Sequence, residues 1–243
     1  MSYKNKRIIA RIDTKNNKVV KGICYEGYSV VGDIKDLLKK YYELGAHEII
    51  MIDTIASLNN RNILKEFIFE NTKNIFIPIT ICGGLRSEED IDSMLKAGAD
   101  KIGINKVAIQ NPENVEKFSK RFGSQCITVS IQAKKIEKNK WLAFFDNGKE
   151  MTELDVINWS KKVEQLGAGE IFLTSVDLDG TMNGLDEKLI DSVVNSVKIP
   201  VIASGGTKNK KDLDNIFANT AVSGIAIASA LHFGELNLKE ICE

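Results

Sequence analysis

Two stretches decide the fold: TVSIQAKK at Thr128–Lys135 and its counterpart IIARIDTK at Ile8–Lys15. Each is a short, mainly apolar run, as expected of a strand buried in a parallel sheet. At an offset of 119 positions, Gln132 occupies the place in the later strand that Asp13 has in the earlier one. The chain therefore repeats itself, and these two strand ends are equivalent positions within the repeat.

Two further matches extend the repeat at an offset of 122 positions. GAHEII from Gly45 recurs as GAGEIF from Gly167, and the pair Gly83-Gly84 recurs as Gly205-Gly206. Along the whole chain, apolar strand patterns alternate with helical patterns to give eight strand–helix units. This count is typical of a closed α/β barrel.

We therefore predict an α/β fold with one domain, a (β/α)8 TIM barrel spanning residues 1–243. Two duplicated (βα)4 half-barrels would build it, covering approximately residues 1–122 and 123–243. The duplication places Asp13 and Gln132 on opposite sides of the barrel mouth. No Pro-rich or Ser-rich linker separates the halves, which favours one domain over two.

Cap residues predict where individual helices begin. Ser87 with Asp90 forms an S-x-x-D cap, and Thr152 with Asp155 forms another before a later helix. The segment 60–70 is predicted as a helix. Asn111 followed by Pro112 predicts a cap and a proline in the first turn.

Composition excludes several classes of function. Lys plus Arg equals Asp plus Glu at 33 each, so no strong net charge favours nucleic acid or a membrane surface. Four scattered cysteines without a CxxC pair and only two histidines argue against a zinc site, and we expect no metal and no cofactor. The sequence shows no signal peptide or membrane-spanning run, and we expect a cytoplasmic protein with reduced thiols.

The two glycine pairs predict phosphate binding. Each pair follows an apolar strand and precedes a helix, where backbone N–H groups can approach an anion closely. In parallel α/β barrels the active site lies at this end of the strands. Two equivalent pairs on opposite sides of one mouth predict a small-molecule substrate with two phosphate groups.

Long, ordered motifs resemble the cyclase subunit family of imidazole glycerol phosphate synthase over nearly the whole chain. They are RIIARID with VVKG, DTIAS, ADKIGIN, RFGSQ, GAGEIFLTSVDLDGT, IPVIASGG and LHF. The resemblance implies a barrel that receives ammonia from a glutaminase subunit docked at its N-terminal face. In that family the ammonia reacts at the mouth with a bis-phosphorylated ribulosyl aminoimidazole carboxamide.

The resemblance also implies roles for individual residues. Asp13 matches the acid/base aspartate of the first strand, and Lys21 matches the lysine of the first loop. One phosphate site would contain Gly83, Gly84 and Asn105. The other would contain Asp179, Gly180, Thr181, Gly205, Gly206 and Ser229. A ring of charges that gates ammonia entry would contain Arg7, Glu48, Lys101 and Glu170.

Gln132 departs from the family pattern, which has a second aspartate at this place. An amide cannot transfer protons at neutral pH, and losing a proton-transfer group typically lowers a rate by about 10²–10⁴-fold. Ser29 stands near the position of a family arginine, and Lys106 replaces a small hydroxyl residue and could compensate for it. These changes predict an altered mouth above an intact ammonia entrance.

Three functions remain open from the sequence. The first is a glutamine amidotransferase subunit that passes ammonia onward, with a separate sugar amidotransferase as a further partner in surface-glycan biosynthesis. The second is a working imidazole glycerol phosphate synthase cyclase that tolerates Gln132. The third is a non-catalytic module that binds and activates the glutaminase.

Overall fold

A computed structural model describes residues 3, 5–55 and 64–242 of the chain. The chain has the predicted fold, a (β/α)8 TIM barrel. Twelve strands lie in the described part of the chain. They are β1 (Arg7–Lys15), β2 (Lys18–Ile23), β3 (Glu26–Asp33), β4 (Glu48–Asp53), β5 (Ile79–Cys82), β6 (Lys101–Ile104), β7 (Ile127–Glu137), β8 (Lys140–Phe145), β9 (Glu150–Asp155), β10 (Glu170–Ser175), β11 (Val201–Ser204) and β12 (Gly224–Ile227).

Eight parallel strands close the barrel in the order β1, β4, β5, β6, β7, β10, β11, β12. The last strand pairs with the first, where Arg7 lies beside Gly224 and Ile8 beside Ile225. The predicted halves meet where β6 pairs with β7, with Ile102 beside Ile127. Within the second half, β7 pairs with β10 and sets Gln132 beside Thr174. The limits of the two half-barrels remain a prediction from the sequence repeat.

Helices cover the outside of the barrel. They are α1 (Ile34–Glu43), α2 (Leu64–Asn71), α3 (Glu88–Lys96), α4 (Lys106–Gln110), α5 (Glu113–Phe122), α6 (Val156–Gln165), α7 (Glu187–Val194), α8 (Lys210–Asn219), α9 (Ser229–His232) and α10 (Leu238–Cys242). The start of the helix predicted over 60–70 lies outside the described residues. Among the helices described, none has the length and apolar character needed to cross a bilayer.

Side-chain alternation along β1 separates two apolar regions. Ile8, Ala10 and Ile12 belong to the large core between strands and helices, whereas Ile9 belongs to a smaller cluster inside the barrel. Because successive side chains of a strand point to opposite faces, Arg7 and Arg11 lie on the same face as Ile9. The first strand therefore directs two arginines into the barrel interior.

Two antiparallel extensions rise from the mouth at equivalent places in the repeat. The first is the hairpin of β2 and β3, which pairs with the end of β1 through Thr14 and Val19. The second is formed by β8 and β9, which continue from β7 through the pairing of Gln132 with Phe144. The sequence predicted a turn with a short extension and a hairpin, respectively, at these two places.

The predicted caps are partly confirmed. Ser87 and Asp90 form the expected capping box at the start of α3. At α6, however, Asp155 is the N-cap and accepts a hydrogen bond from Asn158 N. The Thr152 hydroxyl instead donates to the Ala143 carbonyl within the extension, because the residue lies in β9.

Candidate active site

A closed ring of four alternating charges lies at the N-terminal end of the barrel. Arg7 donates to Glu48 over 2.9 Å and to Glu170 over 2.5 Å. Across the ring, Lys101 Nζ lies 3.0 Å from Glu48 Oε1 and 2.9 Å from Glu170 Oε2. All four residues of the predicted ammonia gate therefore contact one another, and we call this set the lower ring.

The lower ring is buried on its acidic side and open on its basic side. The side chains of Glu48 and Glu170 are 2% and 6% exposed, whereas those of Arg7 and Lys101 are 28% and 18% exposed. Burial lowers the pKa of Arg7, but Glu170 and Glu48 outweigh that effect and raise it above the ordinary value. The lower ring thus has no net charge and closes this end of the barrel, and its two cations reach the outer face of the barrel.

Above the lower ring, the barrel interior contains an apolar cluster. Its members are Ile9, Ile50, Cys82, Phe172, Ile202 and Ala226, with Ile52 packed against them. Burial raises the pKa of the Cys82 thiol to about 12, so this thiol stays protonated and inert at neutral pH. An uncharged molecule can occupy such a layer at lower cost than an ion can.

A second closed ring of charges lies at the mouth, and we call it the upper ring. Arg11 Nε and Nη2 donate to the two carboxylate oxygens of Asp13, over 2.8 Å and 3.0 Å. Lys21 Nζ lies 3.0 Å from Asp13 Oδ2 and 2.6 Å from Asp179 Oδ2. Arg11 Nη1 completes the ring with a bond of 2.8 Å to Asp179 Oδ1.

The upper ring is sealed from solvent. Asp13 and Arg11 are 0% exposed, and Asp179 and Lys21 are 2% and 3% exposed. Burial alone would raise the pKa of Asp13, but the charges and hydrogen bonds of Arg11 and Lys21 outweigh it and hold the pKa at about 2. Two of the three residues predicted for the catalytic set, Asp13 and Lys21, are therefore in direct contact but inaccessible in this structure. The third, Gln132, lies outside the upper ring.

Arg11 was not singled out from the sequence, although it was part of the quoted RIIARID motif. Its signal was available: a charged residue at an inward-facing position of a buried strand requires a partner of opposite charge. The guanidinium also lies over two aromatic rings, 5.9 Å from the centre of Phe172 and 5.4 Å from that of Tyr25. It donates in addition to Ser204 Oγ over 3.2 Å.

The β2–β3 hairpin covers the upper ring. Tyr25, at its turn, is 4% exposed, and Lys21 Nζ also lies 5.9 Å from the Tyr25 ring centre. Cys24 N donates to the Asp179 carbonyl over 2.7 Å, which fixes the turn to the opposite side of the mouth. Ser29 Oγ donates to the Lys21 carbonyl over 3.2 Å and thus stabilises the hairpin itself.

The first glycine pair opens onto a cavity of about 510 Å³ at the mouth. Gly83 has a φ of +102°, and a Cβ at this residue would lie 2.4 Å from the Asp53 carbonyl oxygen, so only glycine fits. Gly84 has a φ of +70° and lines the same cavity. Asp13 and Lys21 do not line it, whereas Gln132 does.

Two polar side chains that line this cavity already bond to other groups of the protein. The Asn105 side-chain amide donates to the Ser130 carbonyl over 2.9 Å and to the Phe144 carbonyl over 3.2 Å. Both of its N–H groups are thereby used, so this side chain has no donor left for a phosphate. Lys106 Nζ is paired with Asp146 Oδ2 over 2.6 Å at the cavity rim.

Gln132 has a hydrogen-bonding role. Its Oε1 accepts from Gly148 N over 2.7 Å and thereby holds the turn that follows β8. The neighbouring Asn147 fixes the same turn by donating to the Thr54 carbonyl over 2.8 Å. An amide at position 132 therefore shapes the cavity rim, and it has no group that can serve as an acid or a base.

The second glycine pair lines a narrow cleft on the other side of the mouth, where Gly205 and Gly206 have φ values of +100° and +104°. The hydroxyls of Ser229 and Thr207 are buried there without a hydrogen-bond partner among the described residues. Buried hydroxyls normally have a hydrogen-bond partner, and a small anion such as phosphate would accept a hydrogen bond from each of these two.

Residues predicted for the second phosphate site divide into two groups. Asp179 and Gly180 line the cleft together with Ser229. The Thr181 hydroxyl instead donates to the Leu178 carbonyl over 2.9 Å and fixes its own turn. No group of three or more His, Cys, Asp or Glu side chains suited to a metal ion is present among residues 3, 5–55 and 64–242.

Comparison with known proteins places this architecture in a family. The model of the family described as histidine biosynthesis protein matches residues 7–237. Imidazole glycerol phosphate synthase subunit HisF of Prochlorococcus marinus is 45% identical over 237 residues, which is 97% of this chain and 93% of the relative. The subunit HisF of Bacillus cereus strain G9842 is 41% identical over 236 residues, or 97% and 94% of the two chains. The chain therefore belongs to the histidine biosynthesis protein family, as a member of its HisF-like branch.

Proposed function

We propose that this chain is the ammonia-receiving barrel subunit of a glutamine-dependent enzyme complex, with a glutaminase subunit docked at its N-terminal face. The lower ring carries this proposal. Four charged side chains at the ends of different strands contact one another in strict alternation, and an apolar interior lies directly behind them.

The lower ring suits a gate better than a structural plug. Buried ions are costly unless every charge is paired, and apolar residues of similar size would close the barrel at least as well. An ion-paired ring, by contrast, can open when a partner offers alternative contacts to its cations. Arg7 and Lys101 are the two members with exposed surface, which is where a docked subunit could contact them.

Glutamine hydrolysis by the partner tests the gate. The glutaminase from the same genome is purified with and without this chain, and binding and glutamine turnover are both measured. We expect the intact barrel to stimulate hydrolysis. Glu48→Gln and Lys101→Met should lower the stimulated rate at least about tenfold, since each leaves the largely buried ring with one uncompensated charge.

Lys96→Met is the matched control, because Lys96 forms an ion pair with Asp92 on the exposed surface of α3. This variant should keep the stimulated rate of the unmodified chain. Equal stimulation by Lys101→Met and the unmodified chain, with equal binding, would remove the lower ring as the basis of the proposal. Failure of the two proteins to bind would contradict the proposal that a glutaminase is the partner.

A working cyclase is the second candidate function. It is favoured by the identity of 41–45% to subunits named imidazole glycerol phosphate synthase subunit HisF over nearly the whole chain. These names support histidine biosynthesis better than the sugar-amidation hypothesis, for which no feature of the structure speaks directly. A non-catalytic docking module has no observation in its favour either, since a cavity with glycine-lined walls lies at the mouth.

The cyclase candidate has a direct test. The purified chain is given the ribulosyl aminoimidazole carboxamide intermediate and an ammonium salt at high pH, which bypasses any glutaminase. Turnover within about tenfold of a cyclase with two aspartates would support this candidate. We expect a rate lower by about 10²–10⁴-fold, because one of the two proton-transfer groups is an amide.

A further inference from the structure

Arg11 is a fully buried cation that an ammonia-receiving barrel does not require. Its three guanidinium nitrogens make four polar contacts, two with Asp13, one with Asp179 and one with Ser204. The fork geometry matches the carboxylate of Asp13, and bidentate arginine–carboxylate pairs are among the strongest charge-assisted hydrogen bonds in proteins. These contacts fix the position of the Arg11 side chain at the mouth.

The contacts of Asp13 leave no room for proton transfer. Oδ1 accepts from Arg11 Nε, and Oδ2 accepts from both Arg11 Nη2 and Lys21 Nζ. A general base works best when its pKa lies near the working pH. A carboxylate with three cationic donors and no exposed surface is far from that condition.

Arg11 also balances the charge of the upper ring, which contains two anions and two cations and is neutral. Without Arg11 the buried set would carry an excess negative charge, which is costly in an apolar surrounding. Gln132, which lines the neighbouring cavity, adds no charge of its own to the mouth.

We propose that Arg11 is a positioning residue that keeps Asp13 as a buried counter-ion, so that this carboxylate neither gives nor accepts a proton at the mouth. This inference rests on the proposed function and adds where at the mouth the ammonia acceptor reacts. Chemistry on the ammonia acceptor would then take place in the cavity lined by Gln132 and Gly84, outside the upper ring. A carboxylate at position 132 alone would not restore two-carboxylate cyclisation.

A set of variants tests this with free ammonium and the ribulosyl intermediate. Neither Gln132→Asp alone nor Arg11→Met alone should raise the cyclisation rate by more than about threefold. Combined, they should raise the rate by at least about 10²-fold, the lower end of the effect of a proton-transfer group. This non-additive gain is a result that a purely structural role for Arg11 would not give.

Arg121→Met in the Gln132→Asp background is the matched control. Arg121 pairs with Glu88 over 2.8 Å on the exposed surface, and its loss should give no gain in rate. A gain of about 10²-fold from Gln132→Asp alone would overturn the proposal, because Asp13 would then be active while still bound to Arg11. A folded double variant without any gain would overturn it as well.

A second measurement does not depend on how well the Arg11 variants fold. The carbon-13 shift of the Asp13 carboxyl, assigned with Asp13→Asn, should stay that of an ionised group in the unmodified chain down to about pH 3. Titration between about pH 5 and pH 8 would overturn the proposal. Neither assay contains a glutaminase, so a failure here is separate from a failure of the lower ring as a gate.

Discussion

At the scale of single residues, Gln132 and Arg11 explain why the mouth differs from what the resemblance implied. Gln132 supplies a hydrogen-bond acceptor to Gly148, and Arg11 encloses the one remaining aspartate of the expected pair. Gln132 has no titratable group, and Arg11 neutralises the carboxylate of Asp13. The altered mouth is therefore a property of two residues, of which the sequence pattern drew attention to only one.

Gly83 provides a residue-scale prediction for the first glycine pair. Gly83→Ala should destabilise the fold by about 2–5 kcal/mol, since a positive φ costs about 1–2 kcal/mol and steric overlap adds about 1–3 kcal/mol. The overlap is with the Asp53 carbonyl, only 2.4 Å from the position of the added Cβ. Urea denaturation followed by circular dichroism measures the loss.

Gly27→Ala is the control for this prediction. Gly27 also has a positive φ, +62°, but nothing lies within 4 Å of the position of its Cβ. Its substitution should therefore cost only about 1–2 kcal/mol from backbone strain. Equal losses for the two alanines would show that close packing against Asp53 does not determine the glycine at position 83.

Sequence reasoning reached the positions of the candidate site but not all of their contacts. It named the four residues of the lower ring, because they match the ring of charges that the resemblance to the cyclase family implies. It assigned Asn105 to phosphate binding, whereas the side chain bonds Ser130 and Phe144 carbonyls. Such partners come from β7 and β8, and no spacing within the chain around Asn105 indicates them.

At the scale of secondary-structure elements, the β2–β3 hairpin determines access to the upper ring. Continuous apolar runs predicted the barrel strands well, because these strands are buried on both faces. The hairpin was harder to predict, since β3 is largely exposed and its pairing with β2 depends on the end of β1. Tertiary contacts, chiefly those of Tyr25 and Cys24, fix it across the mouth.

Tyr25→Ala should release this hairpin. The Tyr25 ring covers both cations of the upper ring, and truncating a buried aromatic side chain typically costs about 3–5 kcal/mol. We expect Lys21, now 3% exposed, to become reactive towards reductive methylation, as read by mass spectrometry. The unmodified chain should leave Lys21 protected under the same conditions.

Val30→Ala tests whether any change in the hairpin has this effect. Val30 lies in β3 and is 67% exposed, so its truncation removes little packing. Lys21 should remain protected in this variant. If Lys21 is equally protected in Tyr25→Ala, the ring of Tyr25 does not hold the hairpin closed, and the seal over the upper ring depends on backbone contacts such as that of Cys24.

At the scale of the whole molecule, two neutral rings enclose one apolar interior. The lower ring closes the N-terminal end of the barrel, and the upper ring lies across part of the mouth. Cys82 and Ile52 belong to the apolar cluster of the interior and also line the 510 Å³ cavity at the mouth.

His232 makes the stability of the whole barrel depend on pH. Burial lowers its pKa from 6.5 to about 4, and its Nδ1 shares a hydrogen bond of 2.6 Å with the Tyr41 hydroxyl. Between about pH 6.5 and pH 4, the unfolded chain therefore binds a proton at this residue that the folded chain does not. The contribution is complete above pH 6.5 and is lost as pH falls through this range.

The loss at His232 should amount to at most about 3 kcal/mol, since each pKa unit corresponds to about 1.4 kcal/mol. His232→Asn keeps an acceptor near Tyr41 and cannot titrate. We expect the free energy of unfolding, measured by urea denaturation from pH 7 to pH 4, to fall less steeply in this variant. The pKa of His47 is also lowered by burial, so its titration remains in both proteins and cancels in the difference. Parallel curves for the two proteins would contradict the assignment, because the slope would then belong to groups other than His232.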